Sequence, residues 1–167
     1  MESSSGRELE RHRHLGGGNS LRNWQARKGP LKVTLNYLII TLSKPLPWLG
    51  LKNRLLRLTG MKVGRDVSVG LSVMFDVFWP ENIEIGDNTV IGYGATILGH
   101  EFLVDEWRTG KVRIGRNCMI GALSLVMPGV RIGDGSMVAA YSLVNKDIPP
   151  GVLAAGVPAR VIKKLKK

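Results

Sequence analysis

Cysteine is nearly absent from this chain of 167 residues, where Cys118 is the only one. A single thiol excludes an intramolecular disulfide framework and a thiolate metal cluster within one chain. Aromatic residues make up only 6%, too few for a broad core built on large rings. The opening "MESSSGRELERHRH" lacks the apolar stretch of a signal peptide, so a reducing, cytoplasmic setting is expected. Long hydrophobic runs are missing as well. The apolar run from Tyr37 to Leu42 is far shorter than the roughly 20 residues that cross a bilayer. Histidine is almost as scarce: beyond residue 14 there is only His100.

Positive charge is plentiful and unevenly placed. Residues 1–62 hold twelve Lys/Arg against three Glu, a net of +9, whereas residues 63–167 hold twelve against ten acids, a net of +2. Such an asymmetry suggests an anionic partner near the N-terminus: membrane phospholipid, nucleic acid or an acidic glycan. The plainer reading is a solubilising surface.

Three regions follow. Residues 1–20 are polar, glycine-containing and expected to be a flexible basic tail, on which His12 and His14 make a poor metal site. Residues 21–62 read as helical. Leu31, Leu35, Leu38 and Leu42 recur at helical spacing, broadened by Val33, Tyr37 and Ile40, with Pro30 at the start and Pro45 and Pro47 at the end. In "LKNRLLRLTG", Leu51, Leu55 and Leu58 face one way and Lys52, Arg54 and Arg57 another, with Gly60 as cap. Two readings stand for this region: a helical cap on the main domain, or a basic amphipathic segment lying on a membrane surface.

From Val63 a period of six takes over. Its leading residues are Val63, Val69 and Phe75, then Ile85, Ile91 and Ile97, then Ile114, Ile120 and Val126, then Ile132, Val138 and Val144. All twelve are apolar, and small residues often follow them. Neither helical nor hairpin spacing explains one anchor every six residues. A solenoid does: each hexad makes a short strand and a corner, and three hexads make a triangular coil. About four coils result. The step from Val63 to Ile85 carries 4 residues beyond a coil of 18, and the step from Ile85 to Ile114 carries 11. Extra residues cannot enter a stacked core, so they project, and projecting loops tend to carry function. The larger insertion carries "EFLVDEWRTGKVR" directly after His100.

These hexads, with the ending "NKDIPPGVLAAGVPARVIKKL", resemble the hexapeptide-repeat acyltransferases, in particular the galactoside and maltose O-acetyltransferase branch. The resemblance covers about residues 63–164. It implies an all-β solenoid, a left-handed parallel β-helix, assembled as a homotrimer with active sites between neighbouring protomers. It further implies an acetyl-CoA-dependent O-acetyltransferase acting on a sugar or glycan hydroxyl, with His100 as general base and no metal. Carried over by motif, the coenzyme would meet Ala122, Ala140, Asn145, Lys146, Arg160 and Lys163. The N-terminal helical domain of that branch is not recognisable in residues 1–62, so the acceptor is left open.

An imidazole, with an ordinary pKa of about 6.5, suits proton abstraction near neutral pH. A carboxylate that orients it is expected among Asp76, Glu101, Asp105 and Glu106, and Trp107 and Arg108 are placed to shape an acceptor pocket. Asp76, Glu101, Trp107 and Arg108 are thus the candidate acceptor-side residues. Cys118 reads as a buried ladder residue without a partner base. A γ-class carbonic anhydrase is excluded, because three zinc histidines are needed and the repeat supplies one. No nucleic-acid partner is expected. The alternative from another class is a non-catalytic trimeric scaffold, held to a membrane or acidic polymer by its basic N-terminus.

Overall fold

The structure is a computed structural model that describes residues 6–166. In chain order, strand β1 (Glu10–Arg13) leads to a 3-10 segment at Ser20–Ala26, then to helices α1 (Pro30–Ser43) and α2 (Leu49–Leu58). Residues 1–5, part of the expected flexible tail, lie outside the described residues.

The repeat then builds three parallel ladders. In the first, Val63, Ile85, Ile114 and Ile132 stack in β2 (Lys62–Val63), β5 (Ile83–Ile85), β10 (Val112–Ile114) and β13 (Arg131–Ile132). The second stacks Val69, Ile91, Ile120 and Val138 in β3 (Ser68–Val69), β6 (Val90–Ile91), β11 (Met119–Ile120) and β14 (Met137–Val138). In the third, Phe75, Ile97, Val126 and Val144 stack in β4 (Met74–Phe75), β7 (Thr96–Ile97), β12 (Leu125–Val126) and β15 (Leu143–Val144). All twelve leading residues are buried, none more than 7% exposed. The period of six has one physical meaning here: each aliphatic side chain stands on its equivalent one rung away, and removing these columns from water drives the fold. β16 (Val152–Gly156) extends the second ladder, and β17 (Ala159–Lys164) turns back antiparallel along it. Cys118 is buried among the ladders, where desolvation pushes its thiol pKa up.

The helices bury a face other than their leucine stripes. In α1 the buried residues are Val33, Asn36, Ile40 and Ser43, while Leu31, Leu35, Leu38 and Leu42 face outward. In α2 the buried residues are Lys52, Asn53 and Leu56, and Leu58 is 73% exposed. The reason lies in the hydrogen bonds. Rungs bond along the solenoid axis, so that Gly64 and Gly70 N–H donate to the Ile85 and Ile91 carbonyls of the next rung. The first rung has no predecessor, and its carbonyls need donors from elsewhere. Arg57 donates to Val63 O (2.9 Å) and Gly64 O (2.8 Å), and Asn53 Nδ2 to Val67 O (2.8 Å). Lys52 Nζ donates to both Val69 O and Gly70 O at 3.1 Å, and Asn36 Nδ2 to Val77 O at 3.0 Å. Polar side chains point inward because the sheet end demands them.

The larger insertion is a hairpin of β8 (His100–Phe102) and β9 (Glu106–Thr109), and β1 adds to β9 as a third antiparallel strand. Residues 10–13, expected to be flexible, are therefore ordered. β9 had an open edge, and β1 supplies its missing backbone partners. Further ties fix this segment: Glu8 pairs with Arg113 and Arg131, and Ser20 N–H donates to Val104 O at 3.1 Å.

Candidate active site

Asp76 follows Phe75 at the end of β4 and is 2% exposed. Its Oδ1 accepts the N–H groups of Phe78 (2.8 Å) and Trp79 (2.9 Å). Its Oδ2 accepts the N–H of Gly99 (2.7 Å) and meets Nδ1 of His100. Burial pushes the Asp76 pKa up, but His100 and the N–H donors of Trp79 and Gly99 outweigh it and hold the carboxyl below its ordinary 3.8. A charged carboxylate thus stands behind the imidazole, wrapped by backbone donors. Gly99 makes the approach feasible. A Cβ there would come within 2.9 Å of Trp79 O and 3.0 Å of Asn82 Cβ.

Of the four candidate carboxylates, Asp76 is the one hydrogen-bonded to His100. Glu101 pairs instead with Arg7 at 3.1 Å and Arg108 at 3.8 Å, and Glu106 pairs with Arg108. Asp105 lies at the hairpin tip, where its carbonyl accepts the N–H of His14. Arg7 and Arg108 therefore compensate the charges of Glu101 and Glu106, whereas Asp76 serves the histidine.

Aromatic rings enclose the imidazole. Phe78, Trp79 and Phe102 lie with centroids 5.0, 5.0 and 4.9 Å from it. Trp107 stacks on Trp79 at 5.4 Å, and His12 of β1 stacks on Trp107 at 3.9 Å. A cavity of about 540 Å³ contains His100 and Glu101 and is otherwise lined by Leu21, Phe78, Leu98, Phe102 and Leu103. Trp79, Trp107 and His12 line a second cavity of similar size. A larger cavity, about 790 Å³, runs along the outside of the first ladder and includes none of these aromatics and no histidine.

Phe78 and Trp79 come from the four-residue insertion, whose length marked it in the sequence although no role was read for it. Leu21 and His12 belong to the N-terminal region. No local signal announced them, because their position depends on β1 finding the edge of β9.

The expected coenzyme positions fall on two corners and on β17. Ala122 and Ala140 occupy one corner on successive rungs, linked by Tyr141 N–H to Ala122 O at 2.9 Å. Arg160, paired in register with Ala155, and Lys163, paired with Leu153, are exposed on β17. Asn145 and Lys146 follow β15 at the next corner, and Asn145 Oδ1 is buried without a partner. None of the six lines the cavity at His100. Among the described residues no group of three or more His, Cys, Asp or Glu could hold a metal ion.

Comparison with known proteins fits this arrangement. Residues 111–146 match the family model for bacterial transferase hexapeptide (six repeats). A Bacillus subtilis (strain 168) protein with a provisional acetyltransferase name, YvoF, is 46% identical over 93% of this chain and 91% of its own. The structure of a maltose O-acetyltransferase from Clostridium difficile 630 superposes with a TM-score of 0.65 at 25% identity, covering 91% of this chain and 94% of that one. That likeness extends into residues 1–62, where no counterpart was recognisable in the sequence. A galactoside acetyltransferase in complex with coenzyme A gives a TM-score of 0.62 at 29% identity over 82% of each chain. The left-handed parallel β-helix is the architecture these relatives share with the ladders described above. The chain belongs to the hexapeptide-repeat transferases and is an acetyltransferase of that family.

Proposed function

We propose that the protein transfers an acetyl group from acetyl-CoA to a sugar or glycan hydroxyl, directly and without a covalent enzyme intermediate. The observation that carries this reading is the Asp76–His100 pair at the root of the hairpin. Asp76, held as a carboxylate, accepts the Nδ1 proton and fixes the tautomer, which leaves the Nε2 lone pair free. Nε2 takes the proton of the acceptor hydroxyl as its oxygen attacks the thioester carbonyl carbon. The C–S bond then breaks, and the departing thiolate takes the proton back from His100.

Acetyl-CoA is the donor substrate in this reading, and the coenzyme A complex of the galactoside acetyltransferase supports it. The coenzyme would lie along the corner of Ala122 and Ala140, with Lys146, Arg160 and Lys163 meeting its phosphates. Those residues lie apart from the His100 cavity within one protomer, which supports a homotrimer of four-coil solenoids whose sites are completed by a neighbour. The acceptor would enter beside Glu101 and Phe102, which line the His100 cavity, while Trp107 lines a separate cavity and Arg108 is held by Glu101 and Glu106. The setting is cytoplasmic.

His100→Ala should fold and assemble as the wild type does and lose about 10²–10⁴-fold in kcat, the range for removing a general base. The measurement is thiol release from acetyl-CoA across a panel of sugar and glycan acceptors. Wild-type turnover by this variant would overturn the assignment.

A further inference from the structure

The outer face of α1 and α2 is apolar and open. Leu31, Leu35, Leu38 and Leu42 run along one side of α1, and Trp48 and Leu58 of the same helical region are 66% and 73% exposed. A helix advances about 100° per residue, so these leucines lie opposite the buried face of Val33, Asn36, Ile40 and Ser43. Lys32, 3.6 Å from Glu81, and Lys44 stand near the two ends of α1. The surrounding sequence is of one sign. From residue 11 to residue 65 there are twelve Lys and Arg and not one Asp or Glu; Lys52 is buried, and Glu81, Glu84 and Asp87 from the solenoid pair with Lys28, Lys32, Lys62 and Arg65, which leaves the region with a net positive charge.

We propose that this face docks on a membrane surface bearing anionic phospholipid, with α1 lying in the headgroup plane. Two demands must be met together, burial of leucines and compensation of positive charge, and an anionic bilayer meets both. An acidic glycan would answer the charge and leave the leucines wet. A second copy of the chain would bury them but would set one surface with an excess of positive charge against another, since Glu81 alone answers both Lys28 and Lys32. Trp48, between the helices, suits the interfacial zone where an apolar ring with a polar N–H is favoured. No helix among the described residues is long and apolar enough to cross a membrane, so the contact is peripheral. The inference does not rest on the acetyl transfer reading and is tested without it.

The test is flotation of the full-length protein with vesicles of phosphatidylcholine alone and of phosphatidylcholine containing phosphatidylglycerol. It is repeated after raising salt from about 0.1 M to about 0.5 M, which shortens the screening length. The expected result is binding to the anionic vesicles, weakened at least about tenfold by salt or by neutral lipid. Leu35→Glu/Leu38→Glu should lose that binding about tenfold or more while keeping the wild-type thermal unfolding and mass by light scattering. Absence of wild-type binding would overturn the proposal, as would equal binding by the double variant. A fall in assembly size caused by the double variant would overturn it too, assigning the stripe to a contact between copies.

Discussion

The solenoid and its helical cap obey opposite rules. In the ladders, apolar residues point in and their neighbours point out, from Val63 to Val144. In α2, Lys52 and Asn53 point in while Leu58 points out. Both regions minimise the same quantity, the sum of apolar exposure and unmet backbone hydrogen bonding. Inside the solenoid each rung satisfies the next, so only the apolar part is left to optimise. At the first rung the carbonyls of Val63, Gly64, Val67, Val69 and Gly70 have no preceding rung, and their desolvation outweighs the burial of a few leucines.

That contrast can be broken by substitution. Ile120→Ala, in the middle of the second ladder, should cost about 2–5 kcal/mol of stability, measured by chemical denaturation. Leu38→Ala, removing a similar side chain from the cap, should stay within about 0.5 kcal/mol. Equal losses would mean that the leucine stripe is covered in the isolated protein. Asn53→Leu makes the sharper test, since it adds apolar surface at a buried position. It leaves Val67 O without its donor and is expected to destabilise by about 1–3 kcal/mol; a stabilised variant would refute the capping role.

A smaller effect ties the first rung to pH. The pKa of Asp76 in the folded chain lies below its ordinary 3.8. Its ionised form therefore stabilises the fold fully above that value, and the contribution fades as pH falls through the lower folded pKa. Asp76→Asn should flatten this acid-side loss in thermal melts taken below about pH 5. An unchanged acid profile would show that the carboxylate is not held by His100 and the N–H donors around it.

The ladders were legible because their signal is local and repeated: twelve leading residues in phase leave little freedom for register. His100 was legible as the lone imidazole beside the largest interruption of that phase. Asp76 could be named as one of four carboxylates and no further, since it lies 24 residues from His100 and meets it only through stacking of β4 on β7. The inward polar face of α2 was not legible, for a different reason. Leu51, Leu55 and Leu58 satisfy a helical apolar pattern, and nothing in that pattern records the orphan carbonyls that Lys52, Asn53 and Arg57 would meet. β1 was hidden in a polar, charged stretch, because its pairing with β9 is set by an edge about 95 residues away.

The stacked rungs also make distance along the molecule countable. Equivalent residues in neighbouring rungs stand about 4.7–4.9 Å apart, so the solenoid is a ruler with fixed graduations. The hairpin of His100 leaves the wall just after β7, on the second mark of the third ladder, while Ala122 and Ala140 precede its third and fourth marks. Adding or removing three hexads would shift the span between hairpin and corner by one graduation and leave every column in phase. The length of molecule that such a wall can measure changes in whole steps, whatever lies along it.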